Sequence, residues 1–197
     1  YFANFSQPSS AVTVDWGDGN VEEVTTYNSS AVMAYGFGSL LQKHTYASDG
    51  EYNISFSGPN KYKTTLAWLP LTDISNWDPQ LAIAENSNAL IGMFMNSSFS
   101  NEAQTQLESW DISGATSLRW LFQNSNPLSE PLLNFFTSSF NPDISSWDVT
   151  SVTTLDRMMM AQPNFSQDLS SWDTSNIGNF WQPFFGCSNL ISGSRTD

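Results

Sequence analysis

The sequence predicts a mixed, β-rich protein: a small antiparallel β-sandwich-like unit followed by a solenoid of about four stacked copies of one repeat. Three observations predict it. A 25-residue block recurs in the second half of the chain. Within each copy the apolar residues keep one fixed spacing. The first 58 residues, by contrast, alternate strand-like runs with Gly/Asp turns.

The repeat appears when the chain is slid against itself. Residues 140–164 read FNPDISSWDVTSVTTLDRMMMAQPN, and residues 165–189 read FSQDLSSWDTSNIGNFWQPFFGCSN. Two looser copies precede them, LTDISNWD at 71–78 and LESWDIS at 107–113. Trp77, Trp110, Trp147 and Trp172 are equivalent, so the upstream copies carry insertions. Ile144, Trp147, Val149, Val152 and Leu155 share one spacing with Leu169, Trp172, Thr174, Ile177 and Phe180, and with Leu107, Trp110, Ile112, Ala115 and Leu118. This is the L-x-x-L-x-L spacing of leucine-rich repeats. The x-L-x-L step suits a short strand, and the wider steps suit a turn and a helical or 3₁₀ segment. A large apolar residue follows in each copy: Phe94, Phe122, Met159 and Phe184. One copy cannot bury its own apolar face, whereas stacked copies share a core. In the first copy Pro79 stands at the second strand position, which predicts an end strand at a cap-proximal turn.

Residues 1–58 read as the β unit. Ala11, Val12, Thr13 and Val14 lead into Asp15-Trp16-Gly17-Asp18-Gly19-Asn20, and Val21 to Val24 resume the strand pattern. Asp-Gly between two such runs is a hairpin signal. His44-Thr45-Tyr46 precedes a second turn at Asp49-Gly50, and residues 52–56 alternate as a strand. Residues 59–70 read as a connection or cap, with Leu66, Trp68 and Leu69 available to cover the first apolar face of the array at 71–197.

Charge excludes several functions. Six Lys+Arg against 19 Asp+Glu give −13, with a pI near 4.1. A nucleic-acid binder needs a basic footprint, and attraction to anionic lipid needs the same. No apolar run approaches the roughly 18 residues of a membrane helix; the longest, residues 31–41, is broken by Gly36 and Gly38. The single cysteine, Cys187, permits no internal disulfide and reads as a buried thiol. The single histidine, His44, permits no imidazole metal cluster. The chain begins at Tyr1 without Met, which reads as a processed product or part of a longer chain.

Two stretches resemble known families. DWGDG at 15–19, followed by HTY-x-x-x-G-x-Y-x-I at 44–54, resembles the PKD-like (polycystic-kidney-disease) β-sandwich domain. The F-[NS]-x-D-[IL]-S-S-W-D copies at 140–189 resemble the BspA-like leucine-rich repeats of bacterial surface proteins. Together the resemblances imply an extracellular or cell-surface adhesion protein, and neither brings a transferable catalytic motif.

The candidate site residues follow from the repeats. Asp78, Asp111, Asp148 and Asp173 each follow the repeat Trp and would line up about 5 Å apart on stacked strands. Such a row is either tied down by Asx bonds to amides two residues on or forms a ligand-facing acidic ladder open to a cation. The repeat Trp residues read as core or as sugar platforms. Asp15 and Asp18 are spaced like part of a calcium loop but lack its downstream bidentate acid; turn chemistry is the alternative. Met158, Met159 and Met160 read as gap-filling core or a contact surface. The sequons at Asn4, Asn28, Asn53, Asn96 and Asn164 are no more frequent than composition alone yields. A glycosidase pair needs two unlike carboxylate environments, which equivalent repeat aspartates do not supply.

The expected function is therefore non-enzymatic, with no catalytic residues and no cofactor. Calcium would serve only to neutralise the array, which carries 13 acids against three Arg over residues 66–197. The array would bind a protein or glycan at a cell surface, with no nucleic acid and no membrane insertion in this segment. The alternative is a structural subunit of a filament, sheath or virion fibre that binds copies of itself. Phe184, Phe185, Leu190 and Ile191 at the open array end would be the assembly surface.

Overall fold

The computed structural model describes residues 2–5, 11–25, 42–58, 64–65, 70–124 and 139–190. Two three-stranded antiparallel sheets form the N-terminal part. One has the order β4 (Gln42–Lys43), β1 (Phe2–Phe5), β6 (Thr64–Thr65); the other has β3 (Val21–Thr25), β2 (Ala11–Asp15), β5 (Ser55–Ser57). The hairpin pairs Asp15 with Val21 and Val12 with Val24. Gly17 and Gly19 occupy its turn at φ 77° and 91°, where a side chain is strained. Val12, Val14 and Trp16 are buried beneath Tyr46, Ile54 and Phe56. β6 comes from the stretch expected as a connection. Leu66, Trp68 and Leu69 lie outside the described residues.

β7 (Pro70–Leu71) pairs in parallel with β8 (Ser98–Phe99). Among the described residues there are two helices, α1 (Pro79–Glu85) between these strands in the chain and α2 (Asn101–Glu108) after them. Pro79 corrects an expectation: it opens α1 instead of ending a strand. Asp78 is the N-cap, its carboxylate accepting from Gln80 N. Proline suits that place because the first helical N–H has no partner inside the helix. Ser100 caps α2 in the same way through Ala103 N.

Successive copies are joined by backbone hydrogen bonds, and not where the strand was expected. Gly92, Phe94 and Asn96 donate to the carbonyls of Arg119, Leu121 and Gln123. Leu118, Trp120, Phe122 and Asn124 donate to Thr154, Asp156, Met158 and Met160. Leu155, Arg157, Met159 and Ala161 donate to Asn179, Trp181, Pro183 and Phe185. Ser117, Thr154 and Asn179 mark the parallel register. Four short ribbons are thus linked in series, every second N–H pointing to the next copy. Within each ribbon further N–H groups bond three residues back, as Leu121 does to Leu118. The same position in each ribbon is left-handed, Gly92 (φ 61°), Trp120 (59°), Arg157 (51°) and Gln182 (50°), and the residue four on is left-handed in three of them, Asn96 (57°), Ala161 (62°) and Gly186 (82°). The Trp-x-apolar segment is not in the ladder, because the aspartate between those residues takes the amide two positions on and folds the chain into a turn.

The core runs through the stack. Leu107, Ile112, Leu118, Phe122, Ile144, Val152, Leu155, Met159 and Phe165 are almost fully buried. Trp147 Nε1 donates to Leu107 O at 3.0 Å, and Trp172 Nε1 to Ile144 O at 3.1 Å, so each of these Trp residues reaches the equivalent carbonyl of the preceding copy. Phe140, Phe165 and Leu190 fill one recurring buried position. Leu190 is therefore core, a correction to its expected place on an assembly surface. Ile54, Phe56, Leu71 and Trp77 pack against the same core, which joins the β unit to the first copy.

Candidate functional site

The repeat aspartates lie in exposed Asx turns. Asp78, Asp111, Asp148 and Asp173 accept through Oδ1 from the amides of Gln80, Ser113, Thr150 and Ser175, at 2.9–3.0 Å. Thr150 Oγ1 adds a 2.6 Å bond to Asp148. The bonds from Thr150 hold the Asp148 carboxyl below its ordinary range, and those from Ser113 and Ser175 do the same for Asp111 and Asp173. The charge of Asp148 opposes this at Asp111, and that of Asp173 opposes it at Asp148. The three carboxylates are therefore close enough in one column to repel.

The sequence reading missed a second column. The first aspartate of D-[IL]-S-S-W-D also closes a turn: Asp73, Asp143 and Asp168 accept from the amides of Ser75, Ser145 and Ser170. Asp-x-Ser within the recurring block was the available signal. In the second copy Gln106 holds this position. It donates to Asp73 Oδ1 at 2.8 Å and accepts from Ile74 N at 2.6 Å, replacing a like-charge contact with two hydrogen bonds.

Asp15 and Asp18 are turn residues. Asp15 accepts from Gly17 N. Asp18 accepts from the amide and side chain of Asn20 and meets His44 Nε2 at 2.8 Å. His44 stacks on Trp16, with centroids 4.8 Å apart. Among the described residues no group of three or more His, Cys, Asp or Glu is gathered as a metal ion would need.

Met158 and Met159 are core and Met160 is half-buried. Cys187 is half-buried, not fully buried as expected, and its thiol donates to Met159 O at 3.1 Å. Beside the ladder, Arg119 Nε lies 2.8 Å from buried Asp156, and its guanidinium sits 3.8 Å above the Trp120 ring.

The fourth ribbon differs from the others. Val152, Leu155 and Met159 are buried, whereas their equivalents Ile177, Phe180 and Phe184 are half-buried. Trp181 is 60% and Phe185 53% exposed. The N–H groups of Phe180, Gln182, Phe184 and Gly186, equivalent to the donors of the third ribbon, make no hydrogen bond among the described residues. Ile191 lies outside those residues.

A cavity of about 670 Å³ opens where the β unit meets the first copy. One wall is drawn from residues 46–56, the other from 70–77, and Phe94 contributes to the floor. The sequence singled out Trp77 as a repeat tryptophan and Asn53 as a sequon but did not bring the lining together as a site, because the two walls are separate in the chain.

These features define a repeat protein whose recurring aspartates are held in turns at its surface. The chain belongs to the family described as Mycoplasma protein of unknown function, DUF285, whose profile matches residues 60–139 and 88–194. That is a repeat family related to the BspA-like repeats. No curated protein and no solved structure matches the chain.

Proposed function

We propose that this is a non-enzymatic extracellular surface protein for adhesion or recognition, with a PKD-like β domain followed by a BspA-like leucine-rich-repeat solenoid. The observation that carries the reading is the register of Asp111, Asp148 and Asp173. One turn is repeated on successive copies, so exposed carboxylates and backbone are offered at a fixed step. Repeat stacks use such extended faces for binding. The partner is a protein or glycan at a cell surface.

The test is binding of the full chain to arrayed glycans and purified surface proteins, beside a triple variant with Asp111→Asn, Asp148→Asn and Asp173→Asn. Retention of a ligand by the wild type, weakened at least about tenfold in the variant, supports the reading. Equal retention by both proteins rejects the array as the binding face.

One observation favours a second reading, a structural subunit assembling through the array end: the half-buried Phe180 and Phe184 beside a row of N–H groups that make no hydrogen bond among the described residues. Light scattering over a concentration series separates the two. Growth into long species favours the subunit, and a constant mass near 21.9 kDa the recognition module.

A further inference from the structure

We infer that the cavity between the β unit and the first copy is a binding site for an ammonium group carried on a short apolar stem. Its volume of about 670 Å³ falls within the range of small-ligand sites, which favour junctions between structural units.

Besides the buried Phe94, four rings, Tyr46, Tyr52, Phe56 and Trp77, line it. These four are half-buried, and they are held in place before any ligand arrives. Tyr46 stacks on Tyr52 at 4.0 Å, and Phe56 meets Trp77 edge to face at 6.2 Å. Tyr46 Oη donates to Trp16 O, and Tyr52 Oη to Ser48 O. Rings fixed in this way bind a guest without paying to be ordered.

The charged groups lining the cavity are Glu51 and Asp73, and the described lining contains no Lys, Arg or His. Asp73 Oδ1 is fixed by Ser75 N and Gln106 Nε2. The bonds from Ser75 and Gln106 hold its carboxyl below the ordinary range, so it is ionised at neutral pH. An anion is repelled here. A wholly apolar guest leaves the two negative charges without a counter-charge in the described lining. An ammonium group on an apolar stem answers both features, since ring faces attract cations and the stem covers apolar wall. The protein's charge of −13 steers such a guest inward.

This site does not depend on the array reading, because the column at Asp111, Asp148 and Asp173 is not part of the cavity lining. The ammonium group can come from a free amine or from a lysine of a partner protein.

The test titrates the full chain with Nα-acetyl-lysine methylamide, its Nε-trimethyl form, its neutral Nε-acetyl form, butylamine and a neutral disaccharide, followed by amide NMR. Saturable shifts at Tyr52, Phe56 and Trp77 from the charged forms, with the Nε-acetyl form at least about tenfold weaker, are expected. Asp73→Asn and Glu51→Gln each weaken binding; Asn keeps the acceptor for Ser75, and Glu51→Gln stands if Asp73→Asn alters the melt. Asp148→Asn, which removes the same unit of charge elsewhere, leaves the affinity within about twofold. Tighter binding of the lysine derivative than of butylamine assigns a partner's side chain; the reverse assigns a free amine. Equal affinity for the neutral form, shifts from the disaccharide alone, or no shift from any probe overturns the inference.

Discussion

His44 Nε2 lies 2.8 Å from Asp18 Oδ2, with the imidazole buried against Trp16. Burial pushes the Asp18 carboxyl up, but the bonds from His44 and Asn20 together outweigh it and leave the pKa below its ordinary value of 3.8. A carboxyl depressed in the folded state contributes stability above its unfolded pKa and loses it as pH falls through the folded pKa. Thermal stability is therefore expected to drop as pH is lowered past 3.8. Asp18→Asn should flatten that limb, as read from melting temperature between about pH 6 and 2.

The aspartate column separates turn bonding from repulsion. Asp148→Asn keeps an Oδ1 acceptor for Thr150 N and removes the charge felt by Asp111. Because the bonds from Thr150 outweigh the repulsion and leave the Asp148 carboxyl below its ordinary range, the charge contributes net stability, so this variant should lower the melting temperature, and by more near about 1 M salt, where a Debye length of about 3 Å screens the repulsion between the carboxylates. Asp148→Ala removes the acceptor as well and should lower the melting temperature under both conditions.

Trp172 serves the stack through its indole N–H as well as its area. Trp172→Phe retains a ring but leaves the buried Ile144 carbonyl without that donor. Trp147 N still donates to that carbonyl, so the expected loss is that of one hydrogen bond, about 0.5–1.5 kcal/mol, measured by urea denaturation. No loss would show that another donor replaces the indole.

Two glycines of one turn should respond differently. A Cβ on Gly17 would meet Asn53 backbone atoms at 2.6 and 2.8 Å, whereas one on Gly19 meets nothing within 4 Å. Gly19→Ala should cost about 1–2 kcal/mol for left-handed strain alone. Gly17→Ala must also displace the backbone at Asn53 and should cost more in the same melts.

Amide exchange should follow the ribbons. Arg157, Met159 and Ala161 donate to the fourth ribbon, and their amides should be protected. The equivalent Gln182, Phe184 and Gly186 should exchange far faster. Equal protection of the two sets would mean that the last ribbon is bonded on its outer side.

The sequence made the 25-residue period legible because equivalent positions demand similar side chains, as at Phe140 and Phe165 or Trp147 and Trp172. The Asx turns were legible because Asp followed two residues on by Ser or Thr carries its own local geometry. The site of the ladder was not, because backbone groups build it and, besides Gly92, Asn96 and Gly186, its left-handed positions hold Trp120, Arg157, Ala161 and Gln182, none of which signals positive φ. Pro79 misled because proline suits both a strand end and a first helical turn; only the cap at Asp78 decided it. The junction cavity escaped because Tyr52, Phe56, Asp73 and Trp77 meet only through tertiary packing.

Among the described residues the N–H groups of Phe180, Gln182, Phe184 and Gly186 have no acceptor, while the Gln182 and Phe184 carbonyls already accept from Phe185 and Cys187, which gives that edge a donor gender. Two such edges set face to face would oppose donor to donor, so mating of like with like is barred and a twofold pair cannot close there. Only an acceptor-bearing edge fits. Any chain of contacts built from this end therefore has a direction and reads differently from its two ends.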